Sequence, residues 1–352
     1  AGVDRPGMIS VAGGLPAAET FPACSRDAMP AQCLQYGPSE GDAELRRQIA
    51  GELAGRGLAC AAEQVIILSG SQQGIDLVAK LFVDPGTPVA VEAPTYLAAL
   101  QVFRYFGAQF TSLDPARPLA GLGDGPRPAL AYAIPTFQNP TGRCYDASER
   151  ATLAAACDAL NVPLFEDDPY RDLAFDACER TPVCAGLKSA PWIYQGSFSK
   201  SLAPGLRLGY LVASPALLPY LVRLKQAADL HSNRVSQWLV LDQLRSPQRA
   251  ARLEQLVETY RYKRDLFAAG LTRHFTGLAQ WRQPPGGLFF WLELAQKIDT
   301  RSLLPAAIEQ GVAFMPGEPF FPSIRARAGR CGLTSATLMQ HRSSAVWKFS
   351  RV

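Results

Sequence analysis

Between Val65 and Val212 the chain repeats one pattern: a short apolar run, then a stretch with helical spacing, then another apolar run. The runs are Val65–Leu68, Pro88–Glu92, Ala108–Ser112, Ala129–Ile134, Val162–Glu166, Trp192–Gly196 and Leu208–Val212. They are continuous rather than alternating, as expected of strands covered by helices on both faces. Helical stretches at Gln72–Phe82, Tyr96–Phe106 and Asp146–Leu160 lie between several of them. The last opens on Asp146 with Glu149 three residues on, the spacing of a reciprocal cap. Alternating strands and helices predict an α/β domain with a mainly parallel, seven-stranded sheet flanked by helices.

After Pro215 the pattern changes. Long helices are expected over Pro215–Asp229 and Pro247–His274, then strands near Gly287–Leu294 and Val312–Met315, with helices near Arg301–Gln310 and after Ser335. This describes a smaller α+β C-terminal domain. The expected division is an N-terminal segment, 1–35, too rich in Pro, Gly and Ala to fold alone and packed on the rest, a large domain, 36–235, and a small domain, 236–352. The glycines of Leu119–Pro128 run into Pro126 rather than a helix, so they fail the context of a dinucleotide-binding turn.

At 352 residues, 48% hydrophobic and 19% charged, the chain is an ordinary globular protein with more sequence than one small core needs. A net charge of +4 gives no reason to expect nucleic acid or an anionic membrane as partner. Eight cysteines without C-x-x-C spacing and three scattered histidines argue against a zinc site. The cysteines read as free thiols of a reducing cytoplasm. No apolar run approaches a membrane span and no signal-like stretch opens the chain. It starts on Ala1 rather than Met, leaving room for a preceding segment.

Of the seven lysines, Lys200 has the most unusual surroundings. It follows the run Trp192–Gly196 in Gly196-Ser197-Phe198-Ser199-Lys200 and leads into Pro204-Gly205-Leu206-Arg207. A lysine at the C-terminal end of such a strand sits where open α/β sheets bind ligands. Ser197, Ser199 and Arg207 can satisfy a phosphate there, Arg207 with a bidentate fork; the plainer alternative is a solvated loop lysine. Ser71 and Gln72 stand where a strand turns into a helix, an anion-binding position that is otherwise a simple cap. In Glu166-Asp167-Asp168 strand alternation sends neighbouring acids in different directions, and no histidine is near to support a metal. Asn139 before Pro140 fits turn chemistry, Tyr96 after Pro-Thr a helix-start packing residue, and Tyr36 a core or turn aromatic.

The run Gly196–Tyr210 resembles the cofactor-lysine signature of class I/II aminotransferases of fold type I. Other blocks match in order: Gly13-Gly14-Leu15-Pro16, Tyr36-Gly37-Pro38 with Gly41 and Leu45-Arg46, Gly70-Ser71-Gln72-Gln73, Glu92-Ala93-Pro94-Thr95-Tyr96, Asn139-Pro140-Thr141-Gly142, Asp167-Asp168-Pro169-Tyr170 and Gly329-Arg330. The resemblance covers nearly the whole chain and implies an aspartate-aminotransferase-like fold and pyridoxal 5'-phosphate as cofactor. By resemblance Lys200 holds the cofactor as a Schiff base and serves as general base. Ser71, Gln72, Ser197, Ser199 and Arg207 hold its phosphate, with Tyr36 reaching in from the other subunit of a homodimer. Asp167 pairs with the pyridine nitrogen, Asn139 and Tyr170 bond the phenolic oxygen, and Tyr96 stacks on the ring. Arg330 clamps the substrate carboxylate, although Cys331 and Leu333 stand where the family usually has Leu and Phe. The Gly14 region resembles the aminoadipate/kynurenine-type subgroup, whose N-terminal segment closes over the site and would place Gly14, with Asn139 and Arg330, against the substrate.

The implied activity moves an amino group between an α-amino acid and a 2-oxo acid, with no metal. Two alternatives keep the fold: the effector domain of a winged-helix transcription regulator, or β-elimination or decarboxylation with the same cofactor. Such regulators usually carry an aromatic residue where this chain has Asn139.

Overall fold

The computed structural model describes residues 9–11, 14, 16–21, 29–118, 125–322 and 330–334. The expected helix after Ser335 lies outside them, as does most of the glycine-rich stretch that begins at Leu119.

Seven strands form the larger sheet: β2 (Val65–Leu68), β3 (Pro88–Val91), β4 (Gln109–Ser112), β5 (Leu130–Ala133), β6 (Leu164–Asp167), β7 (Trp192–Ser197) and β8 (Gly209–Ala213). Their order is β2-β8-β7-β6-β5-β3-β4. β8 runs antiparallel to both neighbours, and the other pairs are parallel. Six strands therefore point one way, and the C-terminal ends of β2, β3, β5, β6 and β7 open on one edge.

Both faces are covered, as the continuous apolar runs require. Helices α2 (Ser71–Phe82), α3 (Leu97–Tyr105) and α5 (Leu218–Asp229) pack on the face carrying Ile66, Val89, Tyr132, Phe165 and Ile193. Helices α1 (Ala43–Gly55), α4 (Ala147–Leu160) and α6 (Arg234–Arg245) cover the face of Ile67, Ala131, Leu164 and Tyr194. The Asp146 cap is formed in both directions: Glu149 N donates to Asp146 Oδ1 at 2.8 Å, and Asp146 N donates to Glu149 Oε2 at 3.1 Å. Periodicity gave no sign of α6 as a separate helix. It spans the expected boundary at 235 and buries Val240 and Leu244 against the larger sheet.

Helix α7 (Arg249–Phe275) leads into a smaller sheet of β9 (Ala279–Gln280), β10 (Phe289–Leu294), β12 (Met315–Pro316) and β13 (Arg330–Thr334), in the order β12-β13-β10-β9. Helix α8 (Thr300–Glu309) precedes β11 (Val312–Ala313), which pairs in parallel with β1 (Ile9–Ser10). Phe267, Leu271, Phe290, Leu292 and Val312 form their common core. The N-terminal segment is fixed to α7 at two further points. Tyr260 Oη accepts from Ala17 N at 2.8 Å, and Lys263 Nζ meets Glu19 Oε1 at 2.9 Å.

Candidate active site

The open edge of the larger sheet collects the chemistry-bearing residues because each parallel strand ends there in a loop. β2 leads through Gly70, at φ +84°, into Ser71 and Gln72. Helix α2 has no side-chain cap and no acid in its first turn, so its free N–H groups and dipole remain available to an anion. Arg207, in the left-handed region at φ +48°, brings its guanidinium against this turn. A Cβ on Gly70 would stand 2.5 Å from Arg207 Nη2. Gly209 keeps the opposite wall thin: a Cβ there would lie 2.9 Å from Gly196 O and 3.0 Å from Ser71 N. Ser197 Oγ accepts from Ser199 N at 3.2 Å beside it. An uncapped helix end, a half-free arginine and two serines suit a phosphate dianion.

Lys200 follows β7 on the same edge. Its Nζ donates to Gly14 O at 2.7 Å, and burial, with the Arg207 charge adding, pushes its pKa down to about 8. Gly14 also lies against Phe289, whose ring a Cβ would meet at 2.7 Å.

Asp167 ends β6 and is 3% exposed. Gln195 Nε2 donates to its Oδ1 at 2.9 Å and Tyr132 Oη to its Oδ2 at 2.8 Å. Burial raises its pKa to about 6 despite these two bonds, and the Asp168 charge adds to the rise. The neighbouring acids point elsewhere: Glu166 Oε2 accepts from Cys184 N at 2.9 Å, and Asp168 Oδ2 from Tyr194 Oη at 2.8 Å. A buried carboxylate with a donor on each oxygen is the natural partner of a buried cation such as a protonated pyridine.

Asn139 Nδ2 donates to Tyr170 Oη at 3.2 Å, and the Tyr170 ring stands edge-on to Phe289, 5.4 Å between centroids. Tyr96 Oη reaches Gln72 Oε1 at 3.5 Å, and the phenol is within electrostatic reach of Asp167 and Arg207. Ser71, Gln72, Tyr96, Asn139, Asp167, Tyr170, Ser197, Ser199, Lys200 and Arg207 thus share one edge, with Gly14 on Lys200.

The remaining two expected residues are Tyr36 and Arg330. Tyr36 is 75% exposed, with its ring edge-on to His231 at 5.7 Å. Arg330 begins β13 opposite Glu293 of β10, and its side chain lies outside the described residues. Motif reading missed Tyr132 and Gln195. A tyrosine and a glutamine interrupt otherwise apolar strands in the sequence, but their meeting at Asp167 depends on the strand register, in which Gln195 is the partner of Asp167.

The family model for aminotransferase class I and II matches residues 16–341. The chain belongs to this family. The 2-aminoadipate transaminase of Thermus thermophilus is 38% identical over 340 residues, 90% of this chain and 83% of that protein. Aromatic-amino-acid aminotransferase 1 of Thermococcus litoralis is 34% identical over 91% of this chain and 81% of its own length. The solved α-aminoadipate aminotransferase LysN from Thermus thermophilus, complexed with N-(5'-phosphopyridoxyl)-L-leucine, superposes with a TM-score of 0.89 at 36% identity, covering 98% of this chain and 92% of that one. This aminotransferase therefore uses pyridoxal phosphate to move amino groups between α-amino acids and 2-oxo acids. No helix among the described residues is long and apolar enough to cross a membrane.

Proposed function

We propose that Lys200 is the covalent anchor of the cofactor and the group that carries the proton leaving the substrate α-carbon. The observation that carries this is the half-buried Lys200 amine, with its pKa at about 8, on the same sheet edge as the buried Asp167 carboxylate. An amine in that range is neutral often enough to act as nucleophile and base near neutral pH. When bound, the cofactor supplies an electron sink for the pair released from the Cα–H bond.

The remaining roles complete this reading, those of Arg330 and Tyr36 resting on the family resemblance. Ser71, Gln72, Ser197, Ser199 and Arg207 hold the phosphate; Tyr96 covers one ring face; Asn139 and Tyr170 bond the phenolic oxygen; Asp167 holds the ring nitrogen protonated. Arg330 fixes the substrate carboxylate, and Gly14 lines the substrate side on a segment tied to α7. Tyr36, exposed in a single chain, completes the phosphate site of a second copy, making the active species a cytoplasmic homodimer. The described cysteines are free thiols, in keeping with that compartment. The substrates are amino acids of the aminoadipate and aromatic classes, as in the relatives' names, and of the kynurenine class that the Gly14 region's resemblance implies.

The test is a single-turnover reaction of loaded protein with L-2-aminoadipate, L-kynurenine, L-phenylalanine and L-leucine. The account expects one equivalent of 2-oxo acid per site from at least one donor, and none from Lys200→Ala. Turnover by Lys200→Ala at the wild-type rate would overturn it.

A further inference from the structure

We propose that Gln195 is a positioning residue for Asp167, and that residue 74 is glycine because the Gln195 side chain needs its space. The inference rests on the reading of Asp167 as the partner of the ring nitrogen.

Gln195 is fully buried in β7, on the sheet face that carries Ile193 and Phe165. Its amide donates to Asp167 Oδ1, while Oε1 has no hydrogen-bond partner. A buried amide with an unpaired oxygen is costly, and an apolar side chain would pack here without that cost. Gly74 adds a second cost, because a glycine within α2 destabilises the helix relative to alanine. A Cβ at Gly74 would overlap Gln195 Oε1, so an alanine there would drive the amide from its place. Two locally unfavourable choices, on different elements, meet at one atom. What they jointly achieve is a single donor aimed at Asp167.

The register explains the aim. Asp167 and Gln195 are paired residues on adjacent parallel strands and therefore share a sheet face, which Tyr132 of β5 shares as well. Tyr132 occupies Oδ2 and Gln195 Oδ1, so each carboxylate oxygen keeps a lone pair for a cation. Donors to the ionised form favour it, and here they oppose burial.

Three variants test this in the full chain. In cofactor-free protein labelled with 13Cγ-aspartate, the Asp167 signal is identified by its loss in Asp167→Asn. In Gly74→Ala/Gln195→Leu, where the added methyl fills the space of the lost Oε1 and only the end of the Leu68 side chain must shift, its titration midpoint should rise by about one pH unit. Loaded with pyridoxal phosphate, the double variant should lose about tenfold in kcat near neutral pH, with its acid limb moved upward and the donor KM changed less than about twofold. Gly74→Ala alone should move the titration the same way, and it serves if the double variant does not fold. An unmoved Asp167 titration, or an unmoved pH profile, in a folded variant overturns the proposal. If Asp167→Asn keeps normal turnover while the titration still responds to Gln195, the role of Asp167 falls and the coupling stands. If Asp167→Asn is inactive and the titration does not respond, the coupling alone falls.

Discussion

Burial acts on Asp167 and Lys200 in opposite chemical directions for one reason: each charged form loses water that the protein replaces only in part. For Lys200 that frees the amine; for Asp167 the Gln195 and Tyr132 bonds limit the rise. Asp167→Asn should keep the fold and much of the cofactor but lower kcat on the order of 10²-fold or more, measured in single turnover. If Asp168→Asn did this instead, the wrong acid has been chosen. Glu92 is buried with Tyr145 Oη and Ile134 N on its oxygens, and its pKa rises to about 7, as does that of Glu166. Raised folded-state values mean the native protein binds more protons than the unfolded chain between about pH 4 and 7. Stability of the cofactor-free protein should therefore fall as pH rises through this window, and Glu92→Gln should flatten the slope in urea titrations. Arg330→Lys should lose most of the preference for an amino acid over the matching amine, because an ammonium cannot reproduce a bidentate fork. Full preference in that variant would move the clamp to another arginine.

The elements show why some of the site could be read before its geometry was seen. Strand ends and helix starts carry local signals, so the Asp146 cap, the turn before Ser71 and the placement of Lys200 after the run Trp192–Gly196 were legible from spacing alone. Asp146→Ala should cost about 1 kcal/mol of stability and leave kcat unchanged, since α4 lies on the face away from Asp167. The Tyr132–Asp167–Gln195 contact was not legible, because it depends on which strands become neighbours: β5, β6 and β7 are separated by helices and loops in sequence. The same holds for α6, whose buried stripe of Gln237, Val240, Gln243 and Leu244 is half polar and so gives no clear apolar period. Arg207 belongs to the element scale too. It closes on the uncapped end of α2, so Arg207→Lys should weaken cofactor binding more at high ionic strength than at low, as lysine keeps the charge attraction that salt screens and loses the paired hydrogen bonds of the fork.

At the scale of the molecule, the proposed site takes parts from three places: the edge of the larger sheet, the N-terminal segment tied to α7, and a second copy supplying Tyr36. Mixing Lys200→Ala subunits with Tyr36→Ala subunits should restore activity that neither has alone, because a mixed dimer holds one site with both residues intact. No recovery, with subunit exchange demonstrated, would remove Tyr36 from the phosphate site. All of these parts converge on one amine. The direct measurement is borohydride reduction of the loaded protein followed by peptide mapping: the account predicts a single stable cofactor adduct on Lys200, in the peptide around Ser197 and Ser199, and an adduct on any of the other six lysines would contradict it.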